Sequence, residues 1–247
     1  MDFDKYYLSK LKKEGKLGEE TWLSYYLNSY ENKPEYVSWY KRHVKKTADL
    51  IEKYFGDLTG KKILEIGSGR GMLAAELVRK GAFLTGIEVD KQLVNYSIER
   101  FKFGKLRGTF LQASADNLPF EDGSFDLVVS IDVLEHVKNP QKMLNEMSRV
   151  LKKGGGGYFS AANTLAFWTG HSHIRNRIRR GKGTKESDFE FLFSYPRLMM
   201  MCKKAGFSRY FLKYHNLTGI KGVFYSFFKK LGLVNFFMPS FTVIVFK

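Results

Sequence analysis

Ile63-Leu64-Glu65-Ile66-Gly67-Ser68-Gly69-Arg70-Gly71 is the stretch that decides the fold of this chain. A short apolar strand runs into a glycine-rich turn, and residues 72–80 then have the apolar spacing of a helix. A strand that enters such a turn at the start of a helix brings bare backbone close to a ligand. Glu65 lies two residues before the first glycine, where a carboxylate suits a cationic ligand better than a pyrophosphate.

The spacing of the glycines argues against a dinucleotide site. A dinucleotide-binding loop has the pattern G-x-G-x-x-G, which would require a glycine at position 72. Here the third glycine is Gly71, and Met72 follows it. Together with Glu65, this spacing disfavours a nicotinamide-dependent oxidoreductase.

Predicted strands and helices alternate after the turn. The apolar patterns predict strands over 83–88, 109–113, 125–131 and 158–162 and helices over 91–103 and 140–151, with a glycine turn at 154–157. Alternation of this kind implies a parallel sheet that is covered on both faces. Beyond residue 163, the sequence predicts helices over 195–205 and 223–231 and strands over 210–215 and 241–246. We therefore predict a single α/β domain.

The glycine turn and three later motifs resemble those of class I S-adenosylmethionine-dependent methyltransferases of the type found in ubiquinone and menaquinone biosynthesis. The later motifs are the acid Glu88 in 86–90, the segment 112–126, and the pair 130–137 and 149–155. Together these matches cover about residues 61–163. The resemblance implies a doubly wound, seven-stranded, mostly parallel Rossmann-like sheet with an antiparallel final strand. It also implies that residues 1–60 form an N-terminal helical cap, that 61–163 form the cofactor-binding core, and that 164–247 form a basic substrate-side segment that completes the sheet.

The resemblance further implies the cofactor S-adenosyl-L-methionine and the residues that hold it. In the family, the acid of the first strand lies near the amino end of the ligand, and the acid of the second strand holds the ribose hydroxyls. Carried over residue by residue, the expected cofactor-binding residues are Glu65, Gly67, Ser68, Gly69, Gly71, Glu88, Val89, Ser114, Ala115 and Ser130. Ser114 departs from the family pattern, because it stands where an acid usually accepts from the adenine amino group. A weaker bond to Ser114, or a shifted acceptor at Asp116, are the alternatives.

Histidines are the candidate general bases for transfer to a hydroxyl, because their pKa lies near neutrality. His136 follows the fourth predicted strand, where loops of this sheet type face the ligand crevice. A structural role at the start of a helix explains His136 equally well. His171 and His173 follow the fifth strand in a segment suited to cover a substrate, and solvated loop histidines are the alternative there. The single cysteine, Cys202, excludes an intrachain disulfide, and we predict no metal site.

Charge is unevenly distributed along the chain. The net charge is +16, and residues 161–247 contribute +12 of it, with Arg175 to Lys185 as the densest basic run. Such asymmetry favours an anionic partner over a purely solubilising face. Phe224 to Phe241 adds aromatic residues around Lys229 and Lys230, which suits either core packing or peripheral contact with an anionic membrane.

We expect the acceptor to be a small-molecule, lipid-like or glycan-linked compound that is methylated on oxygen. An RNA or protein methyltransferase and an inactive cofactor-binding protein remain alternatives. Nucleic acid ranks lower, because the sequence contains no recognisable RNA-binding module. Residues 1–5 lack the apolar run of a signal peptide and no apolar stretch reaches about 18 residues, so we expect a cytoplasmic protein. The oligomeric state is left open.

Overall fold

The computed structural model describes residues 2–15, 23, 27, 32–162, 193–214 and 240–247. The chain divides into two compact units, Met1–Ser114 and Ala115–Lys247. The predictions for the basic run 175–185, for His171 and His173, and for the helix over 223–231 lie outside the described residues. The division into cap, core and substrate-side segment stays a prediction.

Helices α1 (Phe3–Lys13) and α2 (Pro34–Phe55) lie in the part of the first unit that the structure describes before its first strand. The Asp2 carboxylate caps α1 by accepting the Asp4 N–H at 3.0 Å. Helix α2 begins at Pro34. Proline suits the first helical position, because the missing N–H has no partner there in any helix. The predicted helical character of this part of the chain is confirmed for these two segments.

Three parallel strands and two helices complete the first unit. The strands are β1 (Lys62–Ile66), β2 (Phe83–Glu88) and β3 (Gly108–Gln112), in the spatial order β3-β2-β1. Helix α3 (Met72–Arg79) follows β1, and α4 (Lys91–Phe103) follows β2. Strand β1 is apolar on both faces, with Ile63 and Leu64 fully buried, as expected for a strand inside a parallel sheet.

Within its described residues, the second unit contains four strands and two helices. Their order along the chain is β4 (Phe125–Ser130), α5 (Pro140–Val150), β5 (Leu151–Ala162), α6 (Tyr195–Lys204), β6 (Arg209–Tyr214) and β7 (Ser240–Phe246). Strand β5 runs parallel to β4, and β7 lies antiparallel between β5 and β6.

The seven strands have the order β3-β2-β1-β4-β5-β7-β6 in one sheet. This order confirms the predicted doubly wound α/β fold with an antiparallel final strand. None of the helices within the described ranges is long and apolar enough to cross a membrane.

The glycine run 154–157 was predicted as a turn, and the structure corrects this. Strand β5 already begins at Leu151 and includes the glycines, with a register shift against β4 between Phe125 and Leu127. The run pairs with the end of the chain, because the Lys247 N–H donates to the Gly155 carbonyl at 3.0 Å. A Cβ at Gly157 would lie 2.7 Å from Val245 Cγ2, so glycine is required there by close packing.

Candidate functional site

The glycine turn wraps over the carboxyl ends of β1 and β2. Gly67, Gly69 and Gly71 have φ values of 70°, 49° and 66°, in the left-handed region that favours glycine. The Gly67 and Ser68 N–H groups both donate to the Ile87 carbonyl at 2.9 Å, which ties the start of the turn to β2. We call residues 67–71 the glycine loop. Its backbone is therefore shaped for close approach of a ligand.

Glu65 lies at the base of the glycine loop with only 5% of its surface exposed. Burial raises the pKa of the Glu65 carboxyl to about 8, opposed by a hydrogen bond from the Ala74 N–H and assisted by the negative charge of Glu88. Its Oε2 atom has no hydrogen-bond partner among the described residues. A buried acceptor of this kind fits a cationic group of a ligand, which would favour the ionised carboxylate.

Glu88 lies at the carboxyl end of β2, at the rim of the glycine loop. Its Oε2 accepts the Gly69 N–H at 3.0 Å, and its Oε1 accepts the Val89 and Asp90 N–H groups at 2.8 and 3.2 Å. The sequence assigned Glu88 only to the ligand, whereas the structure shows that it also holds the loop. Its carboxylate retains further lone pairs for hydroxyl donors, because each oxygen can accept about two bonds.

Two further predicted residues of the first unit lie in the glycine loop and next to Glu88. Ser68 is 5% exposed, and its Oγ has no hydrogen-bond partner among the described residues. Val89 is 68% exposed beside Glu88, as an apolar surface at the rim. A ligand that carries an amino group and several polar groups would fit here, because Glu65 Oε2 and Ser68 Oγ are buried oxygens without a hydrogen-bond partner among the described residues.

Ser114 lies just beyond β3 and is exposed. The segment before it is held against β2, because the Ala113 N–H donates to the Glu88 carbonyl at 3.1 Å and Gln112 Nε2 donates to the Val89 carbonyl at 2.9 Å. The structure therefore places Ser114 next to the segment that is tied to Glu88.

The remaining predicted residues belong to the second unit. Ala115 is 7% exposed, and Ser130 at the end of β4 is 1% exposed with an Oγ that has no hydrogen-bond partner in the described part of the chain. His136 ends a 3-10 turn, Leu134–His136, and its side chain is exposed. His171 and His173 lie outside the described residues, so their candidacy stays a prediction.

Asp132 was not predicted as a site residue, although it lies in the motif after β4. It has a φ of 54°, which is uncommon for a residue other than glycine. Its N–H donates to Ser160 Oγ at 2.6 Å, and the Ser160 hydroxyl donates back to Asp132 Oδ1 at 3.0 Å. Two bonds to one serine therefore hold a backbone conformation that costs roughly 1 kcal/mol. No sequence signal distinguishes Asp132, because its partner Ser160 lies on β5, 28 residues further along the chain.

Cavity shape alone does not identify the site. A cavity of about 500 Å³ lies among α1, α2, α3 and α4, and none of the predicted cofactor residues lines it. Within the described ranges, no group of three His, Cys, Asp or Glu side chains could hold a metal ion.

Comparisons with known proteins identify the family of this chain. A family model described as "Methyltransferase domain" matches residues 64–159. The chain is 30% identical over 169 residues to a ubiquinone biosynthesis O-methyltransferase of Nitrosococcus oceani, and the match covers 66% of this chain and 68% of that protein. It is 35% identical over 112 residues to an uncharacterized methyltransferase of Mycobacterium sp. strain KMS, covering 45% of this chain but only 43% of that protein.

The fold is shared with solved structures at low sequence identity. The phosphoethanolamine N-methyltransferase 2 of Haemonchus contortus, in complex with S-adenosyl-L-methionine, superposes with a TM-score of 0.63 at 20% identity. The match covers 82% of this chain and 52% of that one. At this identity the likeness shows the fold alone.

Proposed function

Because this chain belongs to the class I S-adenosylmethionine-dependent methyltransferases, we propose that it transfers a methyl group from S-adenosylmethionine to an acceptor hydroxyl. The acceptor is a small-molecule, lipid-like or glycan-linked compound. One observation carries the proposal: two carboxylates, the buried Glu65 and the rim Glu88, flank a glycine loop in which a Cβ at Gly69 would meet no atom within 4 Å, so space for a ligand lies there.

The first-unit residues hold the cofactor in complementary ways. Glu65 receives the amino group, because its buried carboxyl gains a counter-charge there. Glu88 receives the ribose hydroxyls, which can donate charge-assisted hydrogen bonds to its carboxylate. Gly67, Ser68, Gly69 and Gly71 supply backbone and one hydroxyl, and Val89 and Ser114 complete the first-unit set. Ala115 and Ser130 are the proposed cofactor-binding residues of the second unit.

When bound, the cofactor supplies an electrophilic methyl group, and the chain supplies alignment, exclusion of water and a base. In the second unit, His136 is the proposed base, since it is exposed at the turn that follows β4. Ser160 holds Asp132 four residues before His136, so the backbone that leads into this turn is fixed. His171 and His173 remain further candidates for proton transfer.

The nature of the acceptor rests on two observations. The curated relatives that the chain matches over two thirds of their length are named ubiquinone biosynthesis O-methyltransferases, which supports an oxygen acceptor on a lipid-like molecule. The net charge of +12 in residues 161–247 supports an anionic acceptor, or one that is presented by an anionic membrane to a cytoplasmic enzyme.

A second candidate function is cofactor binding without transfer. The observation that favours it is Ser114, which offers only a neutral hydroxyl in place of the usual acid. This function predicts cofactor binding with no labelled product from any acceptor.

Two measurements separate these functions. Calorimetric titration with S-adenosylhomocysteine tests the cofactor site, with NAD as the matched negative control. Transfer of a labelled methyl group to lipid, glycan and tRNA fractions then tests the acceptor class. We expect binding of S-adenosylhomocysteine, no binding of NAD, and label in the lipid or glycan fraction. Label only in tRNA would reject the acceptor proposal, and no binding of S-adenosylhomocysteine would reject the cofactor proposal.

A further inference from the structure

Two side chains of helix α4 donate hydrogen bonds to backbone carbonyls of the glycine loop. Ser97 Oγ donates to the Gly69 carbonyl at 2.9 Å, and Arg100 Nε donates to the Arg70 carbonyl at 2.7 Å. The two donors are three residues apart and therefore lie on one face of the helix. The loop carbonyls are fixed by these donors, so the shape of the loop depends on where the Arg100 side chain lies.

The other end of Arg100 is bound to the N-terminal helix. Arg100 Nη2 lies 2.5 Å from Asp4 Oδ1, and the Tyr96 hydroxyl also donates to that carboxylate. Asp4 is 2% exposed, and the Arg100 side chain is 13% exposed. A charge pair this deeply buried keeps a defined geometry, because either charge left alone would lack solvation. One guanidinium thus bonds α1 and the glycine loop together.

Ring and apolar contacts also dock α1 onto α4, and the Arg100 guanidinium lies 4.8 Å from the centroid of the Phe3 ring. The rings of Phe3 and Tyr7 pack edge-on against Tyr96, with centroid distances of 5.1 and 4.6 Å. Leu8 and Leu93 belong to the same buried cluster. Loss of a single polar bond at Arg100 should therefore leave α1 docked while the loop support changes.

We propose that Arg100 is a positioning residue that couples docking of α1 to the cofactor affinity of the glycine loop. Asp4 fixes the guanidinium, and the guanidinium fixes the Arg70 carbonyl, so α1 contributes to cofactor binding without contacting the cofactor. Helix α2 also contacts Arg70, because the Arg70 guanidinium lies 4.8 Å from the centroid of the Tyr40 ring. The proposal rests on the proposed cofactor function.

Two variants of the full chain test the coupling. Arg100→Lys keeps a positive charge, but a single ammonium cannot reproduce the two-sided geometry of Nε and Nη2. Asp4→Asn keeps Arg100 but removes the charge that fixes it. We expect the Kd for S-adenosylhomocysteine to rise about five- to tenfold in Arg100→Lys and about two- to fivefold in Asp4→Asn, as for partial loss of a charged hydrogen bond.

Controls separate positioning from a general loss of stability. Leu58→Ala truncates a fully buried side chain that precedes the amino end of β1, whereas the glycine loop follows the carboxyl end of that strand. Val243→Ala truncates a fully buried side chain in β7, in the other unit. Both controls should lower the melting temperature and leave the Kd within twofold of the wild-type value. Hydrogen exchange at the Gly71 amide should accelerate in Arg100→Lys and stay unchanged in the controls.

The measurements distinguish failure of the Arg100 coupling from failure of the cofactor proposal. Wild-type protein that does not bind S-adenosylhomocysteine overturns both proposals. Wild-type protein that binds, with an unchanged Kd in Arg100→Lys or in Asp4→Asn, overturns only the coupling. A control variant that loses affinity in proportion to its melting temperature also overturns it, because the effect would then be one of global stability.

Discussion

The base and the rim of the glycine loop each carry one glutamate, and the two have opposite surroundings. At the base, Glu65 is almost fully buried, its pKa is raised to about 8 by burial, and its Oε2 has no hydrogen-bond partner among the described residues. At the rim, the Glu88 carboxylate accepts three backbone N–H groups. Glu65 is therefore suited to bind a cation, and Glu88 is suited to accept hydrogen bonds from hydroxyl groups.

This difference shows how one loop can recognise two ends of an elongated ligand. A carboxyl with a raised pKa releases its proton when it pairs with a cation, so its affinity for a cationic partner increases with pH up to that pKa. A carboxylate that already holds the loop is fixed in position, so it binds hydroxyls without further ordering. The comparison predicts different responses when each charge is removed.

The largest expected effect is on cofactor affinity at the base of the loop. Glu65→Gln keeps the shape but removes the negative charge that pairs with the ligand amino group. We expect affinity for S-adenosylhomocysteine to fall about 30- to 100-fold, equivalent to about 2–3 kcal/mol. Calorimetry at pH 7.5 measures it, with the partly exposed Glu76→Gln as the matched control. Equal affinities in wild type and Glu65→Gln would show that Glu65 does not contact the cation.

The second effect is on stability. Glu65→Gln lowers cofactor affinity, but it should raise the free energy of unfolding. Burial holds the pKa of Glu65 at about 8 in the folded chain, above the 4.5 of an ordinary glutamate side chain. Its contribution to stability is therefore fully present below about pH 4.5 and is lost as the pH rises through 8. Glu65→Gln should remove this loss and raise the free energy of unfolding by about 2 kcal/mol at pH 8.5, relative to wild type.

Urea denaturation of wild type and Glu65→Gln from pH 5 to pH 9 measures this effect. The difference between the two proteins isolates Glu65 from all other titrating groups. We expect the gap to widen with rising pH. A difference that stays constant across the range would contradict the raised pKa.

The smallest effect is expected at the rim. Glu88→Gln replaces one acceptor oxygen by an NH2 group, which is a donor. That NH2 group would face either the Gly69 N–H or the Val89 and Asp90 N–H groups, and those hydrogen bonds would be lost. We expect affinity for S-adenosylhomocysteine to fall about tenfold and the pH dependence of stability to remain. Calorimetry measures the affinity, with the partly exposed Glu99→Gln as the matched control. A loss as large as that of Glu65→Gln would remove the distinction between base and rim.

Local patterns accounted for much of the first unit. The predicted helix over 91–103 matches α4, and the predicted strand over 83–88 matches β2, because each has a clear apolar period with a capping residue or glycine at its end. The positive φ angles of Gly67, Gly69 and Gly71 agree with the glycine spacing. The β5 start was missed, because a glycine run predicts a turn unless a distant strand packs against it.

By itself, the sequence determined the fold class, the family and the place of the glycine loop, since these depend on residues that are neighbours along the chain. Only the tertiary structure decided that Glu65 is buried with a raised pKa, that Asp132 is held by Ser160, and that Arg100 joins α1 to the loop. Asp4 and Arg100 are 96 residues apart in sequence. Their pairing and the burial of Glu65 depend on how helices pack over the sheet, and no local pattern of residue types encodes that packing.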